Sequence, residues 1–252
     1  MNVEFEWFNF DPEIDFHGTK TLLRQLFDVD APLFDISGLA DLILSQPTIG
    51  STVKVEGKAT DAYAFLTALN TFQHREHKAL AGVTKYIAER AQTNPSLEKI
   101  PSLLSGDAHI GLVFSERLIN MPSEIAPPMY SMLLDEVEAA VEDKEPYEFS
   151  HYLVVSKTYH EVESTLEMEG ERKKKKAKEE APLFYFHPED EVLREHALVH
   201  GSFAYANDKE TVADSKRAFH EMGVQAQGYL LLIEAGKFAG AIQAITEYLG
   251  QK

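Results

Sequence analysis

The sequence contains no cysteine and a single tryptophan in 252 residues. Without thiols there is neither a disulfide framework nor a thiolate metal site, and a reducing compartment is compatible with that composition. No run approaches the ~20 apolar residues that a membrane-spanning helix requires. The opening MNVEFEWF has acids where a secretory signal would be basic, so secretion is not expected. Glycine is missing between Gly111 and Gly170, and no G-x-S-x-G elbow, P-loop or Rossmann glycine triplet occurs anywhere. These absences remove the commoner nucleotide-dependent and hydrolytic chemistries.

Cations are scarce as well. Lys+Arg number 24 against 41 Asp+Glu, a net charge of -17. Six of those cations, Arg172, Lys173, Lys174, Lys175, Lys176 and Lys178, sit in one short run, so the rest of the chain is more acidic still. Such a field repels nucleic-acid phosphates and anionic membranes and attracts basic proteins, with an on-rate that falls as salt rises. Direct nucleic-acid or membrane binding is therefore not expected. Solubility alone is a competing reason for the acidity.

At 44% hydrophobic the chain can bury a sizeable core, and one domain over residues 1–252 is expected. Val3, Phe5 and Trp7 alternate as one apolar face of a strand. Leu22, Leu23, Leu26 and Phe27 recur at helical spacing, and Ser37 can cap a second helix carrying Leu39, Leu42, Ile43 and Leu44. Residues 49–55 and 63–69 read as a hairpin turning at Glu56-Gly57-Lys58. A helix around Leu80, Val83, Tyr86 and Ile87 follows, and His74 and His77 before it suit a solvated helix start better than a metal site.

Residues 110–114 are apolar on both faces, as in a central strand, and a helix is predicted from about Met129 to Glu142 with Pro127 and Pro128 in its first turn. Residues 147–159 form a long strand. Residues 161–181 have almost nothing to bury and read as a charged, disordered insertion. Residues 183–186 and 196–205 resume the sheet, with His196 and His200 on one face. Residues 229–233 make a last buried strand before an amphipathic helix through Phe238, Ile242, Ile245 and Leu249. Residues 211–228 resist assignment. The expected class is α/β (α+β), a mixed and mostly antiparallel central sheet flanked by helices.

Residues 111–130, GLVFSERLINMPSEIAPPMY, are similar to the signature of the BCCIP family, carried here by Ser115, Glu116, Arg117, Asn120, Pro122, Pro128 and Tyr130. The blocks at residues 5–27 and 38–70 agree with fungal members of that family, and the resemblance covers nearly the whole chain. It implies a fold like the GNAT acetyltransferases. The loop that would hold acyl-CoA phosphates is replaced here by a proline-bearing corner that removes backbone donors, so catalytic, cofactor and metal sites are all expected to be absent. An acyl-CoA-dependent acetyltransferase stays a remote alternative.

The resemblance further implies a non-enzymatic nuclear protein that shuttles to the cytoplasm, chaperones a basic large-subunit ribosomal protein, and is linked to nuclear export of a phosphatidylinositol-phosphate kinase. An adaptor for cell-cycle or DNA-repair proteins is the alternative. Nuclear import and export receptors are then expected partners, with the lysine run as the import signal; a solubilising insertion or an RNA contact are its other readings. Two acidic groups are the candidate client surfaces. One is Asp135, Glu138, Glu142 and Asp143, left in water if Leu133, Val137 and Val141 turn inward. The other is Glu189, Asp190 and Glu191, just before a strand. Glu116, Arg117 and Asn120 read either as a hydrogen-bonded corner or as a contact surface.

Overall fold

The computed structural model describes residues 4–161, 182–207 and 224–250. The lysine run and most of residues 211–228 lie outside them. Among the described residues, eight strands form one sheet: β1 (Phe5–Asn9), β2 (Ser51–Val55), β3 (Ala64–Asn70), β4 (Ile110–Arg117), β5 (His151–Glu161), β6 (Leu183–Tyr185), β7 (Val199–Phe203) and β8 (Val224–Glu234). Their order is β1-β2-β3-β4-β5-β8-β7, with β6 added to β5. Every pairing is antiparallel except β4 with β5. This is the mixed, mostly antiparallel open sheet expected, flanked by helices.

Alternation along the central strands explains the two apolar layers. Ile110, Leu112 and Phe114 of β4 face one layer with Leu153, Val155, Leu230 and Leu232, while Val113 faces the other with Tyr152, Val154, Leu231 and Ile233. Residues 110–114 of β4 are buried on both faces, which is why they read as an unbroken apolar run, whereas the buried charges at the end of the strand are paired. Each such side chain contributes roughly 1.5–3 kcal/mol by leaving water.

The first layer is covered by α1 (Phe16–Phe27), α2 (Ile36–Leu44), α3 (Lys78–Ala91) and α4 (Lys99–Ser105); the second by α5 (Ala126–Glu142), α6 (Pro188–His196) and α7 (Ala235–Leu249). Asp35 rather than Ser37 caps α2, its carboxylate accepting from the Gly38 N–H at 2.9 Å. The hairpin turn is longer than predicted, since β2 stops at Val55 and β3 starts only at Ala64, with Glu56 and Gly57 both at positive φ. His77 stands at the N-cap of α3.

Three expectations fail for physical reasons. Helix α5 starts at Ala126, three residues early, because prolines are compatible with a first turn whose N–H groups have no helical partner. Its buried stripe runs Leu133, Val137 and Ala140, leaving Val141 exposed, because 3.6 residues per turn rotates a strict four-residue repeat off the core. The strand placed over residues 196–205 is instead the end of α6 followed by the shorter β7, so His196 and His200 share no strand face. His200 bonds the Tyr229 hydroxyl at 2.9 Å.

Candidate functional site

The parallel pair β4–β5 is in register from Ile110 opposite His151 to Phe114 opposite Val155. Both strands then continue, but apart: β4 to Arg117 and β5 to Glu161, with β6 taking up the edge of β5 at Thr158 to His160. Backbone groups that would have paired across the gap need other partners. The Arg117 N–H donates to Glu116 Oε1 at 3.0 Å, and the Arg117 carbonyl accepts from Gln25 Nε2 of α1 at 2.7 Å. Lys157 of β5 donates from Nζ to the Gln25 carbonyl at 2.8 Å.

A buried ionic network fills the gap. Glu116 meets Lys157 Nζ at 2.7 Å and His187 Nε2 at 2.9 Å. Arg117 makes a two-pronged pair with Glu189. Asp190 accepts from the Ser156 hydroxyl, and its Oδ2 lies 4.0 Å from His187 Nδ1. All of these groups are buried. Because successive residues of a strand point to opposite faces, Glu116 and Lys157 lie on the α1 side while Arg117 and Ser156 lie on the α6 side. His187, in the segment entering α6, connects the two.

The charges tune one another. Burial works to raise the Glu116 pKa, but His187 and Lys157 outweigh it and hold the carboxyl at about 2. Burial works to lower the His187 pKa, yet Glu116 beside it leaves it raised above the ordinary value of 6.5. Burial, with Glu189 adjacent, pushes Asp190 up to about 7. Arg117 is likewise raised, burial being outweighed by Glu189.

The second acidic group expected on the surface is therefore corrected. Glu189 and Asp190 are each 1% exposed, in the first turn of α6 rather than before a strand, and only Glu191 faces water. The signal that could have revealed this is the N-terminal position of all three acids after Pro188, typical of a helix start. Asp135, Glu138, Glu142 and Asp143 do lie exposed along α5. Their neighbour Glu136 turns inward and accepts from the Gly50 N–H at 2.7 Å. Gly50 has φ 105 and no room for a Cβ beside Thr67, so this junction between α5 and the sheet depends on glycine.

In the signature corner, Glu116 and Arg117 belong to the network, and Tyr130 is buried. Pro122 precedes a short 3-10 turn (Ser123–Ile125), and Pro128 sits in the first turn of α5. Asn120 is exposed and takes no part in the network. Residues that sequence reasoning missed include Gln25, Lys157, His187 and Asp30. Asp30 accepts from the Tyr86 hydroxyl and from the N–H groups of Ala206 and Asn207 at 2.7 and 2.8 Å, fixing the chain that carries Tyr205.

Beside the network opens a cavity of about 730 Å³, lined by α1, the end of β4 and its following turn, Lys157, residues 186–188, Tyr205 and the start of β8. That volume falls within the range of ligand and side-chain pockets. Among the described residues no His/Cys/Asp/Glu group could hold a metal ion, and no helix is long and apolar enough to cross a membrane.

An open sheet whose one parallel pair parts over an ionic network, with a cavity at the carboxyl ends of those strands, defines an α/β protein of the helix-flanked mixed-sheet class. The BCCIP family model matches residues 1–193. Protein BCP1 of Gibberella zeae is 67% identical over 249 residues, covering 99% of this chain and 87% of its own length. Protein bcp1 of Schizosaccharomyces pombe is 43% identical over 256 residues, covering 98% of this chain and 90% of its own. The crystal structure of BCP1 from Saccharomyces cerevisiae superposes with a TM-score of 0.67 at 26% identity, over 100% of this chain and 92% of that one. The chain belongs to the BCCIP family.

Proposed function

We propose that this chain is a non-enzymatic, acidic nuclear protein that chaperones a basic large-subunit ribosomal protein during ribosome biogenesis. It shuttles to the cytoplasm and is linked to nuclear export of a lipid kinase. Import and export receptors are its transport partners, and residues 172–178 supply the import signal. The observation that carries the reading is the exposed acidic row on α5, Asp135, Glu138, Glu142 and Asp143, on a chain of net charge -17. A newly made ribosomal protein presents a cationic rRNA-binding surface that an anionic partner neutralises until delivery.

The non-enzymatic reading rests on the corner after β4. The parting of β4 from β5 supports a GNAT-like arrangement, but in the corner that follows several of the donors a pyrophosphate would need are unavailable. The Arg117 N–H is taken by Glu116, and Pro122, Pro127 and Pro128 have none to give. The test is retention of individually purified large-subunit ribosomal proteins at low and high salt. Selective retention of a basic one, weakened by salt, supports the proposal; retention of none contradicts it.

A further inference from the structure

We propose that the open edge of β1 takes an extended segment of a partner protein in which apolar and basic residues alternate, added as one more strand of the sheet. β1 ends the sheet on one side and β7 on the other. The two ends are finished differently. Beyond β7 a 3-10 turn (Pro95–Leu97) closes the edge: Asn94 Nδ2 donates to the Ser202 carbonyl at 2.9 Å, and Leu97 lies against Gly201. Among the described residues, no main-chain hydrogen bond joins β1 to anything but β2, and no second element is packed along it.

The main chain of β1 shows which groups are free. The Phe8 carbonyl accepts from Thr52 Oγ1 of β2 at 3.3 Å, so Phe8 turns its main chain toward β2. By the two-residue alternation of an antiparallel ladder, the N–H and C=O groups of Phe5, Trp7 and Asn9 point the other way, out of the sheet edge. Such a row of unpaired donors and acceptors is a template for a further strand, and it suits an extended chain rather than a helix.

The side chains fix the chemistry of that chain. On the α5 side of the sheet stand Phe5 and Trp7, both half-buried against the core. On the α1 side stand Glu4, just before the strand, and Glu6, both exposed. The cations nearby are already committed. Lys54, opposite Glu6, is buried and held by Asp15 at 2.6 Å and by the Lys58 carbonyl at 2.8 Å; Lys58 itself pairs with Asp11 at 3.1 Å. A strand laid along β1 therefore sets apolar side chains beside Phe5 and Trp7, and Lys or Arg beside Glu4 and Glu6. The same acids disfavour a second copy of this chain, because pairing two β1 strands gathers their carboxylates on one face while each chain carries -17. This contact is separate from the acidic row of α5, and it does not depend on which client the protein carries.

The test titrates three probes into the full-length protein: a short synthetic peptide in which valine and lysine alternate, its valine–glutamate counterpart, and the basic peptide N-methylated at alternate residues in either register. Binding of the unmethylated basic peptide is expected, with slower hydrogen exchange at the Phe5, Trp7 and Asn9 amides. The acidic peptide should not bind, and one of the two methylated registers should bind at least about tenfold more weakly. Asn9→Pro removes an outward N–H at a place where an edge strand tolerates proline, and should weaken the basic peptide by a similar factor with the melt unchanged. If that variant melts early, Glu4→Lys with Glu6→Lys, at exposed positions, takes its place with the same expectation. Reversing Asp135, Glu138, Glu142 and Asp143 should leave the peptide's affinity within about twofold of wild type, since that row lies on another element. No binding, equal binding of the acidic peptide, unslowed exchange at the three amides, or loss of binding on reversing α5 but not on altering β1 would overturn the proposal.

Discussion

Lys157 Nζ lies 2.7 Å from Glu116 Oε2, two residues beyond the point where β5 and β4 stop pairing. Side chains thus bridge the sheet where its backbone does not, with His187 joining that bridge to Asp190 on the opposite face, beside the Arg117–Glu189 pair. The gap is held open by charges that satisfy one another, and a cavity beside it can persist without collapse of the strands.

Breaking this network one partner at a time should be expensive. Glu189→Gln leaves the buried Arg117 guanidinium without its counterion, and a loss of about 3–5 kcal/mol is expected in urea unfolding. Replacing both, as Arg117→Met with Glu189→Leu, should recover most of that loss, because an apolar pair carries no desolvation penalty. A double variant as unstable as the single one would mean that the pair contributes through geometry that apolar side chains cannot supply.

The network also sets a pH dependence. His187, raised above 6.5, contributes stability that is fully present below that value and is lost as pH rises through its elevated folded pKa. Asp190, raised from 3.8 to about 7, costs stability progressively over that interval, since the folded state keeps a proton that the unfolded chain has released. Glu116 acts in the opposite sense: held at about 2, its contribution is present above 4.5 and is lost as pH falls. Thermal melts should therefore peak on the acid side of neutrality. His187→Gln should flatten the decline toward alkaline pH, and an unchanged decline would assign it to other groups.

Calorimetry with acetyl-CoA should give no heat of binding, because the turn after β4 offers prolines and an already bonded N–H where phosphate donors would stand. Micromolar affinity would overturn the non-enzymatic reading.

Elements whose information is local were legible in the sequence. The unbroken apolar run of β4 and the helical stripe of α7 through Phe238, Ala241, Ile242 and Ile245 can be read from periodicity alone. Glu189 and Asp190 could not be, because what buries them is remote in the chain: Arg117 is 72 residues from Glu189, and Ser156 is 34 from Asp190. Three consecutive acids look solvated until the counterion that folds against them is known. The cavity was hidden for the same reason, since its walls come from α1, β4, β5 and β8 and no local pattern announces that two strands will part. The α5 acids were legible because amphipathic spacing fixes which face of one helix meets water.

The most direct test is stopped-flow association with the retained ribosomal protein across a range of ionic strengths. Wild type is compared with the variant carrying Asp135→Lys, Glu138→Lys, Glu142→Lys and Asp143→Lys. Surface substitutions of this kind rarely cost more than about 0.5 kcal/mol each, so the fold should survive, as a melt will verify. Wild-type association should slow steeply as salt rises, while the variant should associate more slowly at low salt, show a flatter dependence, and converge with wild type at high salt. Identical rates and identical salt slopes for the two proteins would contradict electrostatic capture of a basic client by α5.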